Sequence, residues 1–138
     1  MRRISDIIVH CSATEDGLPF DVHDITSWHK SEGKHTCGYH FVVTLDGTVQ
    51  VGRPIEQIGE HCKGQNAHSI GVCYIGGLRH GLPCDTRTKE QREALARLLW
   101  RLTLKLINSG QGIPEIWGHH DFNAAKDCPC FNARAEYN

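Results

Sequence analysis

The chain has 138 residues, enough for one domain with its own hydrophobic core and no need of disulfide staples. Fifteen Lys and Arg against sixteen Asp and Glu leave a formal net charge of −1, so composition indicates no polyanionic partner such as nucleic acid. No run approaches the roughly 20 apolar residues of a membrane helix, which excludes a helical transmembrane segment.

Seven cysteines, an odd number with no repeated CxxC framework, predict mostly free thiols and synthesis in a reducing cytoplasm. The basic start Met1-Arg2-Arg3 leads into an apolar run too short for the core of a secretory signal, so no signal peptide is visible. Ten histidines are the compositional oddity, and imidazole at neutral pH suits metal ligation or proton transfer.

In chain order, Ile7-Ile8-Val9 reads as a buried strand ending at His10. Asp21 or Asp24 then caps a helix with Ile25, Trp28 and His29 at helical spacing, ending at Gly33; His29 is expected to pack on that helix rather than ligate. Tyr39 opens an aromatic and β-branched strand through Thr44, and Asp46-Gly47 turns it into a second strand, Thr48 to Val51, which Pro54 stops.

The segment 59–67 is loop-like, and Ser69 to Ile75 reads as another buried strand stopped by Gly76-Gly77. Thr88 and Gln91 have capping-box spacing at the head of the longest helix, whose stripe is Leu95, Leu98, Leu99, Leu102 and Leu106 and whose end falls near Ser109-Gly110. Ile113 to Trp117 is a last short strand that delivers His119 and His120, and the remainder is a loop with at most a terminal helical turn. The order is mixed α and β in one domain, with no repeat and no linker.

Strand ends are where a fold gathers distant residues, and two of them here carry metal-competent groups: His10, and His119 or His120 with Cys128 or Cys130 close behind. Two imidazoles and a thiolate match an open zinc site, in which a fourth position admits water, and that chemistry is hydrolytic. Adjacent residues of an extended segment face opposite ways, so one of the two histidines reaches an ion, and periodicity does not say which. Cys128 and Cys130 are equally undecided on composition.

Four segments taken together, IIVHCSAT, GYHFVV with DGTVQVGR, HCKGQNAHSIGVCYIGG and GHHDFNAAKDCPCF, resemble the zinc-dependent N-acetylmuramoyl-L-alanine amidases. The resemblance is to the bacteriophage lysozyme-type branch of a superfamily that includes the peptidoglycan recognition proteins, and it spans nearly the whole chain in order. It implies an α/β fold with a central mixed sheet of about five or six strands flanked by helices, and one catalytic domain over 1–138. It implies Zn²⁺ held by His10, His119 and Cys128 with water as fourth ligand, and Tyr39 and Lys126 beside the metal as catalytic groups.

The same resemblance places His61, Asn66 and Ser69 along a substrate groove, with His68 next to them. Arg53 is expected to meet either a peptide carboxylate or a surface carboxylate. Cys73 stands where some members carry an acidic catalytic residue, which favours the Tyr/Lys version, and the KDCPCF context favours Cys128 over Asp127 as the last ligand. The implied activity is hydrolysis of the amide between N-acetylmuramic acid and L-alanine, with a non-catalytic peptidoglycan-recognition module as the alternative. The implied partner is peptidoglycan or its muropeptides, met at the cell wall by a chain made in a bacterial or phage-infected cytoplasm, and a monomer is expected.

Overall fold

The computed structural model describes all residues, 1–138. Its centre is β1 (Asp6–Cys11), whose residues after Asp6 are all buried. Such a continuous apolar run is what a parallel strand covered on both faces requires. β1 runs parallel to β5 (Ser69–Tyr74) on one side and to β8 (Glu115–Gly118) on the other, with His10 opposite Cys73 and Val9 opposite Gly118.

Outside β5 lies β3 (Phe41–Val43), also parallel, and β4 (Val49–Val51) closes that edge antiparallel to β3. The hairpin is built as its sequence predicts. Gly47 takes φ +84°, and Asp46 Oδ1 accepts from Thr48 N–H at 3.0 Å and from the Thr44 hydroxyl at 2.6 Å. The five-stranded order is β4-β3-β5-β1-β8. The strand starts at Phe41, so Tyr39 lies just ahead of it instead of opening it.

A second sheet of three short strands went unread in the sequence: β2 (Thr14–Glu15), β6 (Gly77–Arg79) and β7 (Leu82–Pro83), in the order β2-β6-β7. It continues from the ends of β1 and β5, because Ser12 and Thr14 N–H groups donate to Tyr74 and Gly76 carbonyls.

Three helices cover the main sheet. α1 (Val22–Ser31) is capped by Asp21, with Asp24 completing the capping box; α2 (Lys89–Asn108) has the Thr88/Gln91 box; α3 (Ala133–Tyr137) is a short terminal helix. α2 buries Leu95, Leu98, Leu99, Leu102 and Leu106 in one cluster with Ile7, Val9, Ile70 and Val72. Val22 and Ile25 of α1 join Val42, Cys73 and Ile75 in the other.

Successive strand residues point to opposite faces, so the α2 side takes Val9 and Cys11 of β1 while His10 falls on the α1 side. α3 is tied down by buried Arg87, which bonds Asp85 and Glu136 and stacks 3.3 Å over the Phe131 ring.

Candidate metal centre and groove

His10, at the end of β1, is 1 % exposed and stands beside the point where β8 runs out. There the chain enters a 3₁₀ turn, His119–Asp121, rather than continuing extended. Asp121 Oδ2 accepts from Gly118 N–H at 2.8 Å and sets that turn. It brings the His119 ring to 4.6 Å from the His10 ring, centroid to centroid, while His120 packs back on the loop, its N–H donating to Cys128 O at 2.8 Å.

Cys128 arrives on the loop after the turn. Tyr74 Oη donates to Pro129 O at 2.6 Å, and Cys11 N–H donates to Cys128 Sγ at 3.1 Å, which fixes the sulfur against the end of β1. Ligand atoms of His10, His119 and Cys128 all lie within 4.8 Å of one another. Cys130 takes φ +69° and turns away, its sulfur 4.0 Å from Cys11 Sγ and 3.4 Å from Gly77 O.

The donor chemistry fits a transition metal. Burial first, then the neighbouring rings of His61, His119 and His29, holds His10 well below the usual imidazole range, and burial followed by the Lys126 charge lowers His119. Both imidazoles are thus neutral, with a lone pair to offer, and they sit beside a thiol.

A chain of hydrogen bonds decides which lone pair His10 offers. The Gln65 carbonyl can only accept, and it takes the Ser69 hydroxyl proton at 2.7 Å. Ser69 Oγ therefore accepts from His61 Nε2–H at 3.3 Å, leaving His61 Nδ1 to accept from His10 Nε2–H at 2.9 Å. His10 Nδ1 is the ring nitrogen left free. Metal-ligating histidines are commonly oriented in this way through their second nitrogen.

Room for the relay comes from Gly71 in the middle of β5, where a Cβ would stand 2.5 Å from His61 Cγ. A glycine inside a strand is a sequence sign of close approach, and it was the one available pointer to this packing.

Other expected residues fall into place unevenly. Tyr39 is partly buried between the rings of His10, at 5.0 Å, and His29, at 5.2 Å. Burial pushes its hydroxyl well above the usual phenol range, so it stays a proton donor. His29 packs as expected, its Nδ1 accepting from Gly38 N–H at 2.8 Å. Lys126 is exposed and lines a pocket of about 180 Å³ with Cys128 and Leu78.

His119 lines a separate open groove of about 590 Å³ together with His61, Asn66, Phe122, Lys34 and Lys63. Asn66 Oδ1 accepts from His61 and Cys62 N–H groups, both at 3.0 Å, which leaves its Nδ2 for a groove ligand. One expectation changes, and one is decided between its two alternatives, since Arg53 pairs with the exposed Glu60 carboxylate. Ser69 is 0 % exposed and supports His61 instead of facing the groove. Arg53 is buried and holds the Cys37 and Ile58 carbonyls and Glu60, with no donor directed at a substrate. His68 pairs with Asp6 at 2.9 Å.

The N-acetylmuramoyl-L-alanine amidase family model matches residues 1–131. The chain belongs to this family. Its enzymatic activity is that of an amidase, a hydrolase of peptidoglycan. The amidase is 40% identical over 131 residues to the endolysin of Klebsiella phage KP32, covering 94% of this chain and 83% of that one. It is 39% identical over 129 residues to the endolysin of Escherichia phage T7, covering 93% and 82%.

Among solved structures, the N-acetylmuramoyl-L-alanine amidase LysC from Clostridium intestinale superposes with a TM-score of 0.80 at 26% identity, over 98% of this chain and 82% of that chain. Drosophila PGRP-LB shares the fold, with a TM-score of 0.77 at 24% identity over 99% and 80%.

Proposed function

We propose that the amidase cleaves the amide joining the lactyl group of N-acetylmuramic acid to L-alanine, using a Zn²⁺ ion held by His10 Nδ1, His119 and Cys128. One observation carries this reading: three ligand atoms of that chemistry lie within 4.8 Å of one another beside an open groove. Three protein ligands, rather than four, are the mark of a site that admits a reactant. When bound there, zinc supplies a Lewis acid that polarises a carbonyl and makes water acidic enough to attack it near neutral pH.

The chain's own residues do the rest. His61, backed by Ser69, holds the His10 ring and its tautomer. Tyr39, beside His10 and protonated, gives a hydrogen bond that orients the attacking water or the scissile carbonyl. Lys126 brings a positive charge to the oxygen that becomes anionic as the carbonyl is attacked. Asn66 and the groove beside it hold the muropeptide.

The whole chain, 1–138, serves as one catalytic domain, and a monomer suffices because triad and groove come from the same chain. It acts at the cell wall, and no helix in it is long and apolar enough to cross a membrane. The test is incubation with purified muropeptides, with and without a chelator, and identification of products by mass. Free stem peptide that disappears on chelation supports the reading. Bound but intact muropeptide would make the chain a recognition module, a reading the complete triad disfavours.

A further inference from the structure

The outward face of α2 carries chemistry that neither the core nor the groove uses. Trp100, Leu104 and Ile107 recur at i, i+4 and i+7, opposite the buried leucine stripe, and they are 63%, 39% and 42% exposed. The aromatic contacts of the other two tryptophans are with Phe20 and Phe122; Trp100 has no such neighbour. Ile113, 79% exposed, follows where Gln111 N–H folds the chain back onto Leu106 O at 2.9 Å.

Arg97, Arg101 and Lys105 rim this stripe, all three exposed. The ion pairs of α2 involve only Lys89 and Arg92, near its start, so these three cations are uncompensated. From Ala94 to Pro114 the sequence has no Asp or Glu at all. A net charge of −1 conceals this local concentration.

A tryptophan-bearing apolar stripe edged by arginine and lysine is the composition of a helix that lies in a bilayer interface. A polyanion such as nucleic acid engages the cations but leaves the stripe in water. We propose that the outer face of α2 seats the chain on a bilayer carrying anionic phospholipid headgroups, with Trp100 at headgroup depth. α2 and the His10 side chain lie on opposite faces of the main sheet, so a chain seated this way turns its groove away from the lipid. The docking goes beyond the amidase reading and does not depend on it.

The test is co-sedimentation of the full chain with vesicles of phosphatidylcholine alone and of phosphatidylcholine with phosphatidylglycerol in equal parts. Binding is expected to the mixed vesicles, to weaken with added salt, and to be at least about tenfold weaker on the neutral ones. In a Trp28→Phe/Trp117→Phe background, Trp100 emission should shift to the blue on binding. Neutralising Arg97, Arg101 and Lys105 to Gln should lower partition about fivefold per cation. Trp100→Ser with Leu104→Ser should abolish it while muropeptide turnover and thermal unfolding stay unchanged.

No binding of the unsubstituted chain, equal binding to both vesicles, or full binding by the variants would overturn the proposal. Binding without hydrolysis would leave it standing and remove the amidase reading alone.

Discussion

The His61 imidazole lies against the backbone of Gly71, so close that a Cβ there would meet ring carbon Cγ at 2.5 Å. This packing lets a buried ring reach across from its loop to His10, a residue 51 positions earlier. Gly71→Ala therefore forces His61 off its place. The expected result is a folded protein, destabilised by about 1–3 kcal/mol as overpacking usually costs, with zinc affinity about tenfold lower or worse. Chemical denaturation and metal competition with a chromophoric chelator measure the two effects separately.

Ser69→Ala removes the acceptor for His61 Nε2–H inside a buried cluster. An unsatisfied buried donor costs about 1–3 kcal/mol, and His61 is then free to swap tautomer and withdraw its support from His10. Nitrogen NMR shifts of the imidazoles should show a single His61 tautomer in the unsubstituted chain and a mixture in the variant. A variant with the original pattern and undiminished metal affinity would exclude the relay.

Cys128→Ser should lose metal and turnover together, because that sulfur lies within 4.8 Å of a ligand nitrogen of each histidine. Cys130→Ser should keep both, since its sulfur faces Cys11 and Gly77 instead. Metal content by mass spectrometry, read beside muropeptide turnover, distinguishes the two cysteines; the reverse outcome would reassign the ligand.

Tyr39→Phe and Lys126→Ala should each retain zinc while lowering kcat, by about a hundredfold if each contributes as a positioned hydrogen-bond or charge donor commonly does. Normal turnover in either variant would remove that residue from the mechanism.

Acid should destabilise the fold through His40, a residue outside the metal cluster. It is fully buried, its Nδ1 accepts from Gly71 N–H at 3.0 Å and its Nε2–H donates to Gln57 O at 2.8 Å. Burial, with the Arg2 and Arg53 charges, pulls its pKa down to about 4. The unfolded chain binds this proton first, so the stability is complete above the unfolded pKa of about 6.5 and is lost as pH falls from there toward 4, by roughly 3 kcal/mol. Urea unfolding across that window measures the slope; a His40→Asn variant should flatten it.

What the sequence disclosed was mostly local. The Asp46-Gly47 hairpin and the Thr88/Gln91 cap declare themselves within a few residues, and both form as expected. β2 and β6 are only two and three residues long and pair across the chain, so no periodicity could announce them. Extended alternation left His119 and His120 undecided and only the family resemblance favoured His119; in the structure a 3₁₀ turn, not an extended segment, separates the two rings. For Arg53 the sequence left a peptide carboxylate and a surface carboxylate open; the structure gives it Glu60, along with two main-chain carbonyls that have no signature in composition.

β1 is made early yet sits in the middle of the sheet, between strands that leave the ribosome much later. Cys128, whose sulfur its last residue holds, follows 117 positions behind. On the proposed ligand set, a growing chain therefore holds no complete metal site until the residues through Cys128 have emerged. Under that reading a nascent chain that stops short of Cys128 lacks one ligand for the ion, and with it the hydrolysis that depends on the ion.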